Sequence, residues 1–286
     1  MKYGVVDIGS NSVRLMISDG LSTLSKTVIT TQLAEGLAED GNLHLPAMER
    51  TVLAVSFFCD LAKKERVDKI YVFATAAVRQ SKNSSEFLSL VKSACQIDVD
   101  VVSEEDEAKY GYKGALNGSN GGVVDVGGAS TEVIYAENGS IKYSKSIEAG
   151  AVKIKDVCGQ DKDVADKFIE EKIKYYGVIP SGNYFAIGGT ATSIASIIQE
   201  LDPYQPEKVD GFKVSKKQLK ELAERLYKLP ISERAKLKGL QEKRAPVIAG
   251  GVLLLYKIVE KIGINEVTVS EKDNLEGYLA CKLEKI

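Results

Sequence analysis

Gly4-Val5-Val6-Asp7-Ile8-Gly9-Ser10-Asn11-Ser12 stands near the start of the chain, and Gly122-Val123-Val124-Asp125-Val126-Gly127-Gly128-Ala129-Ser130 repeats its pattern far downstream. In each copy a valine-rich run reaches an aspartate, and a glycine then opens a cluster of small hydroxyl or amide residues. Such a run followed by turn formers reads as a strand entering a tight turn. Strand patterning resumes at 13–18 in the first copy and at 131–135 in the second, so each copy is predicted to be a hairpin with a polar tip. Repetition on this scale predicts duplicated domains rather than a solenoid.

Outward from the first copy, residues 46–64 carry apolar positions at helical spacing (Val52, Val55, Phe58, Cys59, Ala62), and 69–74 reads as a short buried strand. A helix at 86–94 and a strand at 97–102 follow. The second half keeps the rhythm, with a helix at 164–175, a strand at 184–187, and Gly188-Gly189-Thr190 opening another helix. Strands alternating with helices predict α/β layers. The glycine-rich stretch 114–122 is the expected boundary and hinge between domains 1–117 and 118–273, with a last helix at about 274–286 returning to the first domain.

A length of 286 residues suits two domains. A net charge of −2, 44% hydrophobic residues and only 6 prolines exclude a disordered chain and a globally basic partner of DNA. The longest near-apolar run, 247–256, is about half a membrane span, and Asp7 interrupts any signal-peptide core. Cys59, Cys95, Cys158 and Cys281 form no CxxC pair, which points to a reducing cytoplasm. The single histidine, His44, lies among turn residues. Carboxylates must therefore move protons and hold any metal, which points to a hard, oxygen-liking ion such as magnesium (Mg2+).

Glycine permits a tight turn and lets backbone N–H groups approach an anion, and the aspartate can offer oxygen to a cation that neutralises it. Either loop alone reads as an ordinary turn, but the repeated Val-Val-Asp-x-Gly favours two phosphate cradles: Ser10, Asn11 and Ser12 in one, Gly127, Gly128, Ala129, Ser130 and Thr131 in the other. Gly188, Gly189 and Thr190 could receive a further phosphate on a helix N-terminus. Arg79, just past the strand at 69–74, could reach a phosphate in bidentate fashion. Ser103 and Asp106 read as a helix cap, which accounts for Glu104, Glu105 and Asp106. Glu107 and Glu132 remain as candidates for a general base, and the residues alone do not choose between them. Residues 213–244 hold eleven Lys or Arg against four Glu, either the wet face of helices or a strip that steers a polyanion.

In these motifs the chain resembles the exopolyphosphatase and guanosine pentaphosphate phosphohydrolase family of the actin-like superfamily. The resemblance rests on 7–15, on Ala74-Thr75-Ala76-Ala77-Val78-Arg79 with Asn83, on Ser103 to Ala108, on 125–132, on Gly188-Gly189-Thr190, and on Glu233-Arg234 through Gly239-Leu240 to Arg244-Ala245. It implies two ribonuclease-H-like domains with the site in an inter-domain cleft. It places Glu107 on the water-activating glutamate and Asp125 and Glu132 on acids at the metal and the attacked phosphate. Ser10, Asn11, Arg79, Gly128, Ser130 and Thr131 fall on phosphate-contacting positions.

Three departures stand out. Ala129 replaces a third glycine and adds a methyl to the turn. Asp273-Asn274-Leu275-Glu276-Gly277 lacks the arginine of the related Gly-Leu-Arg-Glu-Gly. No further helical domain follows Ile286 in this sequence, which favours shorter chains or nucleotides as substrate. The expected protein is a cytoplasmic hydrolase that releases terminal phosphate from polyphosphate, with Mg2+ held chiefly by Asp125 and helped by Asp7 or Glu132. Hydrolysis of guanosine pentaphosphate to tetraphosphate is the nearest alternative. A regulator that binds guanosine tetraphosphate and an actin-like phosphotransferase are rivals of other classes, and a homodimer is left open.

Overall fold

The computed structural model describes residues 1–284 and divides into two compact units, Met1–Tyr110 with the residues from Leu275 onward, and Gly111–Asn274. In the first unit, β1 (Tyr3–Ile8), β2 (Ser12–Ser18) and β3 (Thr23–Thr30) form an antiparallel meander, and β4 (Lys69–Ala74) and β5 (Asp100–Val101) extend it in parallel, giving the order β3-β2-β1-β4-β5. Every residue of β1 is buried, as a central strand covered on both faces requires. The covering helices are α1 (Leu45–Lys64), which turns Ala47, Met48, Ala54, Val55, Phe58 and Ala62 inward, a short α2 (Ala76–Gln80), and α3 (Ser84–Cys95). A longer helix, α4 (Glu104–Leu116), begins in this unit and ends in the other.

The second unit contains β6 (Gly121–Val126), β7 (Thr131–Glu137), β8 (Ser140–Ile147), β9 (Tyr184–Ile187), β10 (Lys213–Ser215) and β11 (Glu266–Val269), in the order β10-β11-β9-β6-β7-β8. Apart from the added edge strand β10, this is the order and direction of the first sheet. The two units are therefore ribonuclease-H-like copies, as the repeated hairpin predicts. Helices α5 (Ala151–Cys158), α6 (Lys162–Ile173), α7 (Gly188–Ile198), α8 (Lys216–Lys228) and α9 (Ile248–Ile262) pack around the sheet. Val252, Leu254, Ile258 and Val259 of α9 are completely buried, so the apolar run at 247–256 is a core helix. Among the described residues no helix is long and apolar enough to cross a membrane.

The chain returns through α10 (Asn274–Leu283), whose Tyr278 stacks on Phe73 at 4.4 Å and meets Tyr110 edge-on at 5.3 Å. Its hydroxyl donates to Asp100. The glycine-rich stretch 114–122 is less loop-like than its composition suggests. Gly114 is helical and 121–122 belong to β6, leaving a turn around Asn117 and Gly118, both with positive φ. Gly114 is there for close approach, because an added Cβ would lie 1.9 Å from the Asp273 carbonyl oxygen. Gly277 plays the same part in the first unit, where a Cβ would lie 1.8 Å from the Tyr110 carbonyl oxygen. Backbone cannot yield as a flexible side chain can. Gly277→Ala is expected to cost about 1–3 kcal/mol or more in overpacking, read as a lower midpoint in urea unfolding.

Candidate active site

The two tips are built alike. Gly9 N–H donates to the Ser12 carbonyl at 3.1 Å, and Gly127 N–H donates to the Ser130 carbonyl at 3.1 Å. The carbonyls between are held from behind. Ala34 N–H donates to Ser10 O at 2.9 Å, and Thr31 and Gln32 donate to Asn11 O at 3.1 and 2.9 Å. In the second copy the first turn of α5 does this work, with Ala151 donating to Gly127 O and Val152 to Gly128 O, each at 2.9 Å. Drawing carbonyl oxygens to one side turns the peptide N–H groups toward the other, which is how a backbone concavity receives an anion.

Not every residue of the tips serves the same purpose. The Thr131 hydroxyl donates to Ala149 O at 2.6 Å and that of Thr190 to Val126 O at 2.8 Å, so both brace the tip from within. Asn11 Nδ2 donates to Ser12 Oγ at 3.2 Å, and Ser130 is 2% exposed. Ala129 is absent from the positive-φ residues among those described, so its methyl fits the turn without backbone strain.

Register separates the copies chemically. Asp7 lies opposite Arg14 across β1 and β2, whereas Asp125 lies opposite Glu132 across β6 and β7. Residues directly opposite on antiparallel strands share a face, and like charges there destabilise each other. In the first copy the charge is neutralised within the hairpin: Arg14 Nε and Nη2 donate to Asp7 Oδ2 at 2.9 and 2.5 Å. The second copy sets carboxylate against carboxylate, with Asp125 and Glu132 at 9% and 3% exposure. Asn274 Nδ2 donates to Asp125 Oδ2 at 2.9 Å, and Ser146 Oγ donates to Glu132 Oε1 at 2.7 Å. Gly188, with φ +76°, adjoins the same aspartate, and a Cβ there would come within 2.7 Å of Asp125 Oδ1.

This pair fits a divalent cation. Among the described residues no cluster of three or more His, Cys, Asp or Glu is arranged to hold a metal. Magnesium, however, characteristically takes one or two carboxylates and completes its sphere with water and substrate phosphate oxygens. Asn274, which the sequence reading passed over, steers one of the two acids. The only signal was the departure at 273–277, where Leu275 occupies the missing arginine's place and is wholly buried.

Glu107 sits in the first turn of α4, after Ser103 has capped the helix by accepting from Asp106 N–H at 3.1 Å. It is 7% exposed, and Arg79 Nη1 donates to its Oε2 at 2.8 Å. Burial pushes the Glu107 carboxyl above its ordinary range; the Arg79 guanidinium opposes that shift, and Asp7 and Glu104 add to it. Arg79 is consequently no solvated surface arginine. The basic strip also resolves into parts. On α8, Leu219, Leu222, Ala223 and Leu226 face inward, while Arg234 is buried, with its Nε donating to Leu226 O at 2.6 Å and its guanidinium over the Tyr227 ring. Arg244 lies so close to Gly189 at the start of α7 that a Cβ there would meet its Nη2 at 2.3 Å.

These features define a duplicated α/β protein of the ribonuclease-H-like, actin-like class, with an Asp-x-Gly hairpin in each unit and a buried acid in both. The chain belongs to the Ppx/GppA phosphatase family, whose profile matches residues 10–286. It is 25% identical to exopolyphosphatase 2 of Mycobacterium tuberculosis over 96% of this chain and 97% of that one. It is 27% identical to the guanosine-5'-triphosphate,3'-diphosphate pyrophosphatase of Aeromonas hydrophila over 97% of this chain, which spans 58% of that protein. The crystal structure of the Aquifex aeolicus Ppx/GppA family member superposes over all of this chain and 98% of that one, with a TM-score of 0.81 and 29% identity. An exopolyphosphatase from Cytophaga hutchinsonii shares the fold, with a TM-score of 0.89 at 23% identity over 100% and 99% of the two chains.

Proposed function

We propose that the protein is an exopolyphosphatase-type hydrolase that releases the terminal phosphate of inorganic polyphosphate by attack of water, in the cytoplasm. The observation that carries this reading is the asymmetry of the two hairpins: one neutralises its aspartate with Arg14, and the other opposes Asp125 to Glu132 beside a tip whose carbonyls are tied back. Asp125 and Glu132 would hold Mg2+, which neutralises phosphate oxygens when bound, while Asp7 keeps its arginine. The backbone at 10–12 and 127–131 and the N-terminal turn at Gly188, Gly189 and Thr190 bind the phosphates. Glu107 accepts the proton of the attacking water. Phosphoryl transfer relies mainly on such positioning and charge neutralisation.

The likeness to guanosine-5'-triphosphate,3'-diphosphate pyrophosphatases supports a second reading, in which guanosine pentaphosphate is cut at the same site with a different leaving group. One experiment separates the readings: phosphate release from tripolyphosphate, long polyphosphate, guanosine pentaphosphate and ATP, with and without Mg2+. Magnesium-dependent release from polyphosphate is expected. Release from guanosine pentaphosphate alone selects the second reading. Tight binding of guanosine tetraphosphate without release from any substrate identifies a regulator, and ATP turnover only with an added acceptor identifies a phosphotransferase.

A further inference from the structure

We propose that Arg79 is a positioning residue that ties Glu107 to the phosphate under attack, one end of its guanidinium fixing the carboxylate and the other taking a phosphate oxygen. The inference rests on the reading of Glu107 as the base and of Arg79 as a phosphate contact, and adds the link between them that sets the base in place.

The geometry begins at the carboxyl ends of the parallel strands, where open α/β sheets place their ligands. Ile8 of β1 pairs with Ala74 of β4, and the chain leaves these strands toward the first hairpin tip and toward α2. Val102 N–H donates to Ala74 O at 3.0 Å, which sets the residue before the α4 cap against the end of β4. Arg79 is held at the end of α2 by its own N–H, which donates to Thr75 O at 3.0 Å. Its Nη1 then donates both to Val102 O and to Glu107 Oε2, each at 2.8 Å. One nitrogen thus spends both of its hydrogens on a backbone anchor and on the acid.

Nη2 is different. It is buried and has no hydrogen-bond partner, and its ion-pair contact with Glu104 Oε1 is 3.9 Å long, beyond hydrogen-bond length. A buried donor left unmet is costly and calls for an explanation. Because the guanidinium is planar and its Nη1 is fixed at two points, the direction of Nη2 is fixed as well. A phosphate oxygen at Nη2 meets that donor with a charge-assisted bond and leaves Glu107 bound at Nη1. The distance from base to phosphorus is then set by a rigid group rather than by two independent side chains. An ammonium has neither the plane nor the span, so lysine cannot serve both ends.

The charged groups facing Glu107 are Arg79 from α2, Asp7 from β1 and Glu104 from its own helix. Arg79 favours the ionised carboxylate, whereas Asp7 and Glu104 oppose it. The acidic limb of kcat/KM reports the essential base of the free enzyme, so loss of the guanidinium moves that limb to higher pH.

The test compares wild type, Arg79→Gln and Arg79→Lys. For Arg79→Gln the acidic limb is expected to rise by about one pH unit or more, as loss of an opposite charge at contact distance implies, with kcat reduced and KM increased together. Arg79→Lys, which keeps the charge if the neutral variant fails to fold, is expected to recover part of the limb and little of kcat. An unmoved limb with only KM raised overturns the tie to Glu107, and an unchanged KM overturns the tie to phosphate. The carboxyl carbon signal of Glu107, assigned by its loss in Glu107→Gln, reads the same ionisation without turnover and should titrate higher in Arg79→Gln. If Glu107→Gln keeps full activity the base assignment falls, while this titration still decides whether Arg79 governs the carboxyl.

Discussion

Glu107→Gln is expected to lower phosphate release by about 10²- to 10⁴-fold, the usual contribution of a positioned general base, while substrate still binds. Glutamine keeps the shape of the side chain and an oxygen that can accept from Arg79 Nη1, so packing at the start of α4 should survive. What it loses is the ability to take a proton. Burial raises the Glu107 carboxyl, so the wild-type rate should fall as pH drops through that raised value, because the base is competent only when ionised. Glutamine does not titrate, so the residual activity should lose this limb. The measurement is initial rate against pH in both proteins, with calorimetric binding of tripolyphosphate to confirm that the site still forms. Wild-type turnover in the variant would remove Glu107 from the mechanism.

Asp125→Asn should have two effects of opposite sign. Without metal, relieving the carboxylates that face each other across β6 and β7 should raise the midpoint of thermal unfolding. With metal, the variant should need much more Mg2+ for half-maximal activity, by at least the 10- to 100-fold that loss of a mere outer partner of a metal ligand costs. Wild type should therefore gain more thermal stability from added Mg2+ than the variant, because a ligand that binds only the folded state stabilises in proportion to its affinity. Asn274 can still donate to the carboxamide oxygen at position 125, so the variant keeps that hydrogen bond while losing the charge. Equal stabilisation of both proteins by Mg2+, at equal concentrations, rules this pair out as the cation site.

Much of the architecture could be read beforehand because its signals are local. A valine run, an aspartate and a glycine turn lie within nine consecutive residues, and their recurrence announces the duplication. The edge strands β3 and β8 escape such a reading. Thr23–Thr30 and Ser140–Ile147 are polar and largely exposed, and they owe their conformation to β2 and β7 rather than to their own pattern. The strand expected at 97–102 shrinks to Asp100–Val101, which pairs with the end of β4. At the site, the candidate residues could be named from their chemistry but not always paired. Arg79 and Glu107 meet across 28 residues and Asn274 reaches Asp125 across 149, and neither contact leaves a spacing signal. The facing of Asp125 and Glu132 follows from hairpin register, which becomes informative only beside the Asp7 and Arg14 pair of the other copy.

The second unit is one uninterrupted stretch, whereas the first needs Leu275, Tyr278, Leu279 and Cys281 beside Tyr3, Val5 and Phe73 in a single apolar cluster. On the ribosome this reverses the usual succession, in which the part made first matures first. The later-made body can close while the earlier one still exposes the aromatic bed for Tyr278 and waits for the helix that carries it.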